Sequence, residues 1–115
     1  MSIKIDRIGS QMVKDISYVL ATEVKDQDIK FVTVTDVKVT NDLSFAKVYF
    51  TVLDVNRKKE TLNALKSASG FIRKMLADRM EIRHIPELEF IYDESIEYGN
   101  KIEHIIEKIH EEDKN

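Results

Sequence analysis

The chain has 115 residues, of which 43% are hydrophobic and 34% are charged, and its net charge is −3. This length and balance are typical of one soluble globular domain and argue against a disordered or membrane-spanning chain. Because cysteine is absent, disulfides, thiolate metal sites and cysteine nucleophiles are excluded. No apolar run has the length of a membrane helix or of a secretory signal, so we predict a cytoplasmic protein.

The first half of the sequence predicts a helix followed by two strands. Apolar residues recur every three or four positions near the start, which indicates an amphipathic helix of about 20 residues. Its apolar stripe comprises Ile5, Ile8, Met12, Ile16, Leu20 and Val24. Residues 31–40 and 45–53 then alternate β-branched and aromatic residues with others, and turn-forming residues separate them. We predict a β-hairpin with one solvated face and one face covered by helices.

The second half predicts another helix and a third strand. The helical period returns from Arg57 to about Met80. The apolar face of this helix comprises Leu62, Leu65, Ile72, Leu76 and Met80. Residues 88–92 fit a strand entered through Pro86, because proline belongs at the start or edge of a strand.

The C-terminal part predicts a short amphipathic helix. Its apolar positions are Ile102, Ile105, Ile106 and Ile109. Asp93 or Ser95 is expected to cap this helix. The order of elements predicts a single α+β domain, residues 1–110, with helices on one face of a three-stranded sheet. Residues 111–115 are expected to form a frayed acidic tail.

Three small residues, Ala68-Ser69-Gly70, stand in the middle of the second helix. Glycine inside a helix costs about 1 kcal/mol relative to alanine, and Gly/Ser positions are common sites of helix breaks. We predict a kink here, with Gly70 ending one helix and Ser69 capping a second one that begins at about Phe71. The N–H groups at that second helix start would suit a phosphate. Alternatively, the small residues only allow close packing on the sheet.

Basic residues follow one flank of the same helix. Lys59, Lys66 and Arg73 are spaced seven apart and therefore align beside the apolar arc. The residues just behind this stripe are Asn63, Gly70 and Lys74. Residues 57–84 contain eight Lys or Arg against three acidic residues, whereas residues 87–115 contain ten acidic and three basic residues. This asymmetry predicts a basic nucleic-acid surface beside an acidic segment, although solvated faces that happen to be basic give the same composition.

Catalytic and metal-binding patterns are weak. The three glycines are too far apart to form a phosphate-binding loop. His104, Glu107 and His110 resemble a metal cluster, yet the two histidines lie about 240° apart around a helix and cannot face one ion. Asp93 and Glu94 could form a carboxylate pair, but no nearby histidine or apolar pocket would shift a pKa. We therefore expect no enzyme, no cofactor and no metal site.

Four segments, taken in order, carry a resemblance to a known family. The strongest is Ala68-Ser69-Gly70-Phe71-Ile72-Arg73-Lys74. It is followed by Arg83-His84-Ile85-Pro86-Glu87-Leu88-Glu89-Phe90 and by Tyr92-Asp93-Glu94-Ser95-Ile96. The second strand contributes Asp42-Leu43-Ser44-Phe45-Ala46-Lys47-Val48-Tyr49. Over nearly its whole length the chain resembles ribosome-binding factor A of bacteria.

The resemblance implies a KH fold of the second type, in which an Ala-x-Gly kink between helices replaces the usual Gly-x-x-Gly loop. It also implies an assembly factor that binds free, immature 30S ribosomal subunits and assists late maturation and processing of 16S rRNA, above all in the cold. The implied RNA-binding residues are Lys59, Lys66, Ser67, Ala68, Ser69, Gly70, Arg73, Lys74, Arg79 and Arg83.

The expected partners are the small subunit and its 16S rRNA, with other assembly factors as further candidates and no membrane. Nothing demands more than a monomer. The alternative is a protein-interaction module that docks on another assembly factor. Salt-independent binding would favour that alternative, because phosphate contacts weaken as salt rises. The acidic segment beyond about Glu87 would repel RNA and is expected to face solvent or a protein partner.

Overall fold

The structure, a computed structural model, describes residues 3–29, 31–82 and 84–95. The described part contains the helices α1 (Ile3–Thr22) and α2 (Lys58–Arg79) and the strands β1 (Val32–Val39), β2 (Phe45–Val52) and β3 (Glu87–Tyr92). Short 3-10 turns, Gln27–Ile29 and Val55–Arg57, precede β1 and α2. The predicted first helix, hairpin and third strand are confirmed. The predicted terminal helix, the tail and Arg83 lie outside the described residues.

The three strands form one sheet in the order β1-β2-β3. β1 and β2 pair antiparallel, with Val32 opposite Val52, and the register shifts once after Val34. β2 and β3 pair parallel, with Phe50 opposite Tyr92. A parallel pair needs a long crossover, which α2 provides. The end of β3 therefore lies beside the end of β2, far from the turn between β1 and β2.

Hydrogen bonds accepted by a single carboxylate hold the turn between β1 and β2. Asp42 accepts a bond from the Ser44 N–H at 3.0 Å and another from the Thr40 hydroxyl at 2.8 Å. These bonds, the Ser44 N–H foremost, hold the pKa of Asp42 below its ordinary value. Leu43 adopts a φ of 61°, in the left-handed region, to complete the turn.

Both helices cover the same face of the sheet. Buried strand residues on that face are Val34, Val37, Ala46, Val48, Phe50, Leu88 and Phe90. The helices meet them with Met12, Ile16, Val19, Leu65, Ile72 and Leu76, all fully buried. The predicted helical layer on one side of the sheet is confirmed. Neither α1 nor α2, the helices of the described ranges, is long and apolar enough to cross a membrane.

The contact between α1 and β1 is closest at Gly9. A Cβ atom built on Gly9 would lie 2.7 Å from the carbonyl oxygen of Val37. Real Cβ atoms do not approach a backbone oxygen this closely, so α1 could not lie so near β1 with any other residue at this position.

α2 is one continuous helix, so the predicted break, with one helix ending at Gly70 and another starting at Phe71, is wrong. A bend of the helix axis at Ala68-Ser69-Gly70 stays a prediction. Gly70 has no positive φ. The Ser69 hydroxyl donates to the Lys66 carbonyl oxygen at 2.9 Å, within the same helix, and caps no new one. The phosphate site expected at a helix start near Phe71 therefore does not exist.

Packing explains why the small residues do not interrupt α2. Leu65 and Ile72 stand on either side of them and are both fully buried on the side facing the sheet. Ala68 lies between these two residues and packs against the same core. The free energy gained by burying these side chains exceeds the cost of glycine in a helix, which is only about 1 kcal/mol relative to alanine. The KH type of the fold stays a prediction.

Candidate nucleic-acid interface

One side of α2 points away from the sheet and exposes a row of lysines. At 100° per residue, the buried Thr61, Leu65 and Ile72 define the inner side of the helix. The exposed residues of the far side, here called the α2 basic face, are Lys59, Asn63, Lys66, Ser67, Gly70, Lys74 and Ala77. The structure thus brings five of the ten predicted RNA-binding residues onto one surface.

The three lysines of the α2 basic face present an extended line of positive charge. Lys59 and Lys74 are separated by about 22 Å along the helix, at 1.5 Å per residue, and Lys66 lies between them. Within the described residues, none of the three takes part in an ion pair. Their ammonium groups are therefore available to the phosphates of a nucleic acid.

Gly70 lies in the middle of the α2 basic face. A Cβ atom built there would meet nothing within 4 Å. Neither the packing of the chain nor a positive φ requires glycine at this position, although alanine would favour the helix by about 1 kcal/mol. The missing side chain leaves the helix backbone open to close approach from outside, between Lys66 and Lys74.

Arg73 stands at the border of the α2 basic face and is half-buried. Its guanidinium Nη2 donates to the carbonyl oxygen of Ile85 at 2.8 Å, which ties α2 to the segment leading into β3. Its Nε is buried and makes no hydrogen bond within the described residues. Ala68 and Ser69 are also half-buried, turned toward the core. These three predicted binding residues therefore have contacts inside the fold.

Arg79 joins the two helices. It donates to Asp15 through Nη2 at 3.2 Å and through Nε at 3.3 Å, and its guanidinium lies 3.9 Å from the centre of the Tyr18 ring. Asp15 is 5% exposed and also accepts a bond from Gln11 at 3.0 Å. Because Asp15 neutralises it, Arg79 is a weaker candidate for phosphate than the lysines. Arg83, the last predicted residue, lies outside the described residues.

Phe71 is an exposed aromatic residue that is not among the ten predicted RNA-binding residues. Its side chain is 45% exposed, and it follows Gly70 on the solvent side of α2. Exposed aromatic rings next to cations stack on unpaired bases of RNA. The signal was available in the sequence, since continuing the 100° phase through Gly70 places Phe71 about 100° away from Ile72, outside the apolar arc.

Carboxylates within the described residues serve local structure. Asp93 accepts bonds from Ser95 and from the Thr35 hydroxyl, and these bonds, those from Ser95 foremost, hold the pKa of Asp93 below its ordinary value. Glu94 lies 3.7 Å from the Lys58 ammonium group. In the described part of the chain, no group of three His, Asp or Glu could hold a metal. The lowered pKa of Asp93 is the opposite of the raised pKa that a general acid needs.

Comparisons with known proteins agree with this architecture. The family model described as "Ribosome-binding factor A" matches residues 4–106. A curated relative, ribosome-binding factor A of Staphylococcus carnosus, is 51% identical over 113 residues, which cover 96% of this chain and 97% of the relative.

Solved structures show the same likeness. The solution structure of a ribosome binding factor A from Thermotoga maritima has a TM-score of 0.70 and 26% identity, covering 83% of this chain and 92% of that one. A homology model of Thermus thermophilus ribosome binding factor A, fitted into an electron microscopy map of a 30S complex, has a TM-score of 0.65 and 24% identity, covering 75% of this chain and 91% of that one. This chain belongs to the ribosome-binding factor A family.

Proposed function

We propose that this chain binds the immature 30S ribosomal subunit through the α2 basic face and assists late maturation of 16S rRNA, above all in the cold. The action is non-catalytic, needs no cofactor and takes place in the cytoplasm, in one KH-like domain of residues 1–110. Two likenesses support the choice of partner. The relatives carry the name of a ribosome-binding factor, and a homology model of the Thermus thermophilus protein was fitted into a map of a 30S complex.

The observation that carries the proposal is the position of Gly70 between exposed lysines. Glycine lowers helix stability here by about 1 kcal/mol, and no contact among the described residues requires it. A phosphate-sugar backbone that approaches Lys66 and Lys74 would need this space, because a side chain at position 70 would stand between it and the helix. A partner outside the chain accounts for the residue.

The chemistry of the α2 basic face suits structured RNA. Lysine ammonium groups hold phosphates without reading sequence, so they position the protein on the subunit. Phe71 can stack on an unpaired base, the kind of contact through which RNA loops and bulges are recognised. Because a bound protein shifts a conformational equilibrium only through different affinities for the two states, the protein would act by binding one rRNA conformation more tightly.

The proposal is tested by co-sedimentation with purified immature small subunits over a range of salt concentrations. The test variant replaces Lys59, Lys66 and Lys74 by Ala. A matched control with the same change in net charge replaces Lys25, Lys38 and Lys47, exposed residues away from α2. Arg73 is left intact because its bond to the Ile85 carbonyl would make an alanine variant ambiguous.

We expect the wild type and the control to bind, and their affinity to fall as salt rises. The test variant should bind more weakly, and the slope of log affinity against log salt should fall by about 1 for each lysine lost. Equal loss in both variants would mean that net charge alone drives binding. Binding that is independent of salt and unchanged in the test variant would favour the protein-interaction alternative.

A further inference from the structure

Three large apolar side chains are exposed together at one end of the sheet. Phe31 is 60% exposed, Leu53 is 77% exposed and Val55 is 51% exposed. Since Val32 pairs with Val52, the antiparallel register places Phe31 opposite Leu53. We call Phe31, Val52, Leu53 and Val55 the terminal apolar patch. Clustered apolar exposure of this kind marks an interaction surface, whereas single exposed residues are ordinary.

Two grooves flank the terminal apolar patch. One groove of about 440 Å³ has apolar walls from Phe31, Val52 and Leu53, and its other lining residues are polar or charged: Gln27, Asp28, Asp54, Arg57 and Thr61. A second groove of about 430 Å³ is lined by the same three residues and by the paired Thr33 and Thr51. The apolar side chains thus form a ridge between two hollows, a shape into which apolar side chains of another segment can fit.

The described part of the chain ends next to this patch. The Asp93 N–H donates to the Phe50 carbonyl oxygen at 2.7 Å, which continues the parallel pairing beyond β3. β3 ends at Tyr92, which pairs with Phe50, and Phe50 is two residues or about 7 Å along the strand from Val52 of the patch. Glu94 is held by Lys58, at 3.7 Å, and Asp93 accepts a bond from the Ser95 N–H at 3.0 Å. Residues 96–115 therefore start beside the patch.

These twenty residues carry a matching apolar stripe. Ile102, Ile105, Ile106 and Ile109 follow the spacing of one helical face. Six acidic and three basic residues surround them, so the segment is a poor ligand for RNA and its isoleucines call for an apolar partner. The seven positions between Ser95 and Ile102 span about 10 Å as a helix or about 23 Å when extended, enough to reach the patch in either form.

We propose that residues 96–115 dock on the terminal apolar patch of their own chain through Ile102, Ile105, Ile106 and Ile109. The attachment next to the patch favours this occupant, because a short tether gives an effective concentration in the millimolar range. A second copy of the chain at micromolar concentration therefore competes poorly with the tethered segment for the patch. The proposal does not depend on ribosome binding.

The absence of native cysteine permits a direct test by disulfide cross-linking of the full chain. The test pair is Leu53→Cys with Ile105→Cys. The distance control is Asn41→Cys with Ile105→Cys, since Asn41 is exposed in the turn at the opposite end of the sheet, about 26 Å away along eight strand residues. Under mild oxidation, the test pair should form an intramolecular disulfide at least about tenfold faster than the control, at a rate independent of protein concentration.

Tethering alone also brings position 105 near position 53, so a second variant separates tethering from docking. It adds Ile102→Asp and Ile109→Asp to the test pair and leaves the tether unchanged. Docking predicts that the rate falls by several-fold from that of the test pair, to the level that the tether alone provides. An unchanged rate would overturn the proposal, and so would disulfide-linked dimers whose yield rises with concentration, because the patch would then be covered by a second copy.

Discussion

The contact of α1 with β1 and the outer side of α2 each contain a glycine inside a helix, and the surroundings of these two residues differ. At Gly9 a Cβ atom would lie 2.7 Å from the Val37 carbonyl oxygen, whereas at Gly70 it would meet nothing within 4 Å. The first glycine is explained by the fold. The described residues give no packing reason for the second, and under our proposal it leaves space for a partner that approaches from outside.

The cations of α2 also form two groups, those engaged by other parts of the fold and those exposed without an ion pair among the described residues. Arg79 is engaged by Asp15 and Tyr18, and Arg73 by the Ile85 carbonyl. The lysines of the α2 basic face have no ion-pair partner within the described residues. Sequence spacing alone groups these arginines and lysines together, whereas their contacts show that the arginines are engaged within the fold, which leaves the lysines as the residues that we propose for binding.

The largest effect is expected from Arg79→Ala. It leaves the carboxylate of Asp15, which is 5% exposed, without its cationic partner. We expect the free energy of unfolding to fall by about 2–3 kcal/mol, below the usual range for a buried ion pair because the Arg79 side chain is 38% exposed. Chemical denaturation measures this. Lys66→Ala on the same helix is the control and should stay within about 0.5 kcal/mol of wild type; equal losses would remove the distinction between the two cations.

Gly9→Ala should give the next largest effect. The added methyl group forces α1 away from the Val37 carbonyl oxygen. We expect a loss of about 1–2 kcal/mol, since overpacking typically costs about 1–3 kcal/mol and alanine returns part of this through helix preference. Urea denaturation tests it. A neutral or stabilising result would show that α1 can shift at no cost and would weaken the packing explanation of Gly9.

Gly70→Ala is expected to act in the opposite direction on stability. The free energy of unfolding should rise by about 0.5–1 kcal/mol, because alanine favours the helix and its methyl group has space. Affinity for the small subunit should fall in co-sedimentation, because the same methyl group occupies the space of the partner. A variant that is both more stable and equally active in binding would leave Gly70 without a role in the α2 basic face.

The smallest effect is expected at Asp93. Its pKa lies below the ordinary value of 3.8 because of bonds from Ser95 and Thr35. The ionised form is therefore favoured by folding, and this stabilisation is present above the unfolded-state pKa and lost as pH falls through the lower folded pKa. Asp93→Asn should consequently be less stable than wild type near pH 7. The difference in the free energy of unfolding should begin to fall below about pH 4 and vanish below the folded-state pKa. A pH-independent difference would point to packing instead of ionisation.

The fold was largely predictable because its elements have strong local periodicity. The stripes of α1 and α2 and the alternation in β2 mark the buried faces directly, whereas the register shift in β1 spaces its buried Val34 and Val37 three residues apart. The interruption of α2 was mispredicted because the local preference of Gly70 was given more weight than the burial of Leu65 and Ile72 on either side. Tertiary packing routinely overrides single-residue preference.

The candidate site was only half predictable for a different reason. The contact of Arg79 with Asp15 joins residues 64 positions apart, and that of Arg73 with Ile85 joins a side chain to a backbone carbonyl. Neither leaves a pattern in the sequence. Phe71 was missed because it was considered only as the start of a second helix and not as an exposed aromatic side chain. The angular positions of lysines around a continuous helix depend only on the 100° advance per residue. The sequence therefore predicted correctly that the three lysines lie along one side of α2.

The central claim, that the outer side of α2 contacts rRNA, is tested most directly by photo-cross-linking. A photoreactive phenylalanine analogue at position 71 preserves the shape of the native side chain, and the same analogue at Phe45, 49% exposed on the opposite face of the sheet, is the matched control. On purified small subunits, the account predicts cross-links from position 71 to 16S rRNA and none from position 45. Cross-links from position 45 alone, or from position 71 only to ribosomal proteins, would contradict it.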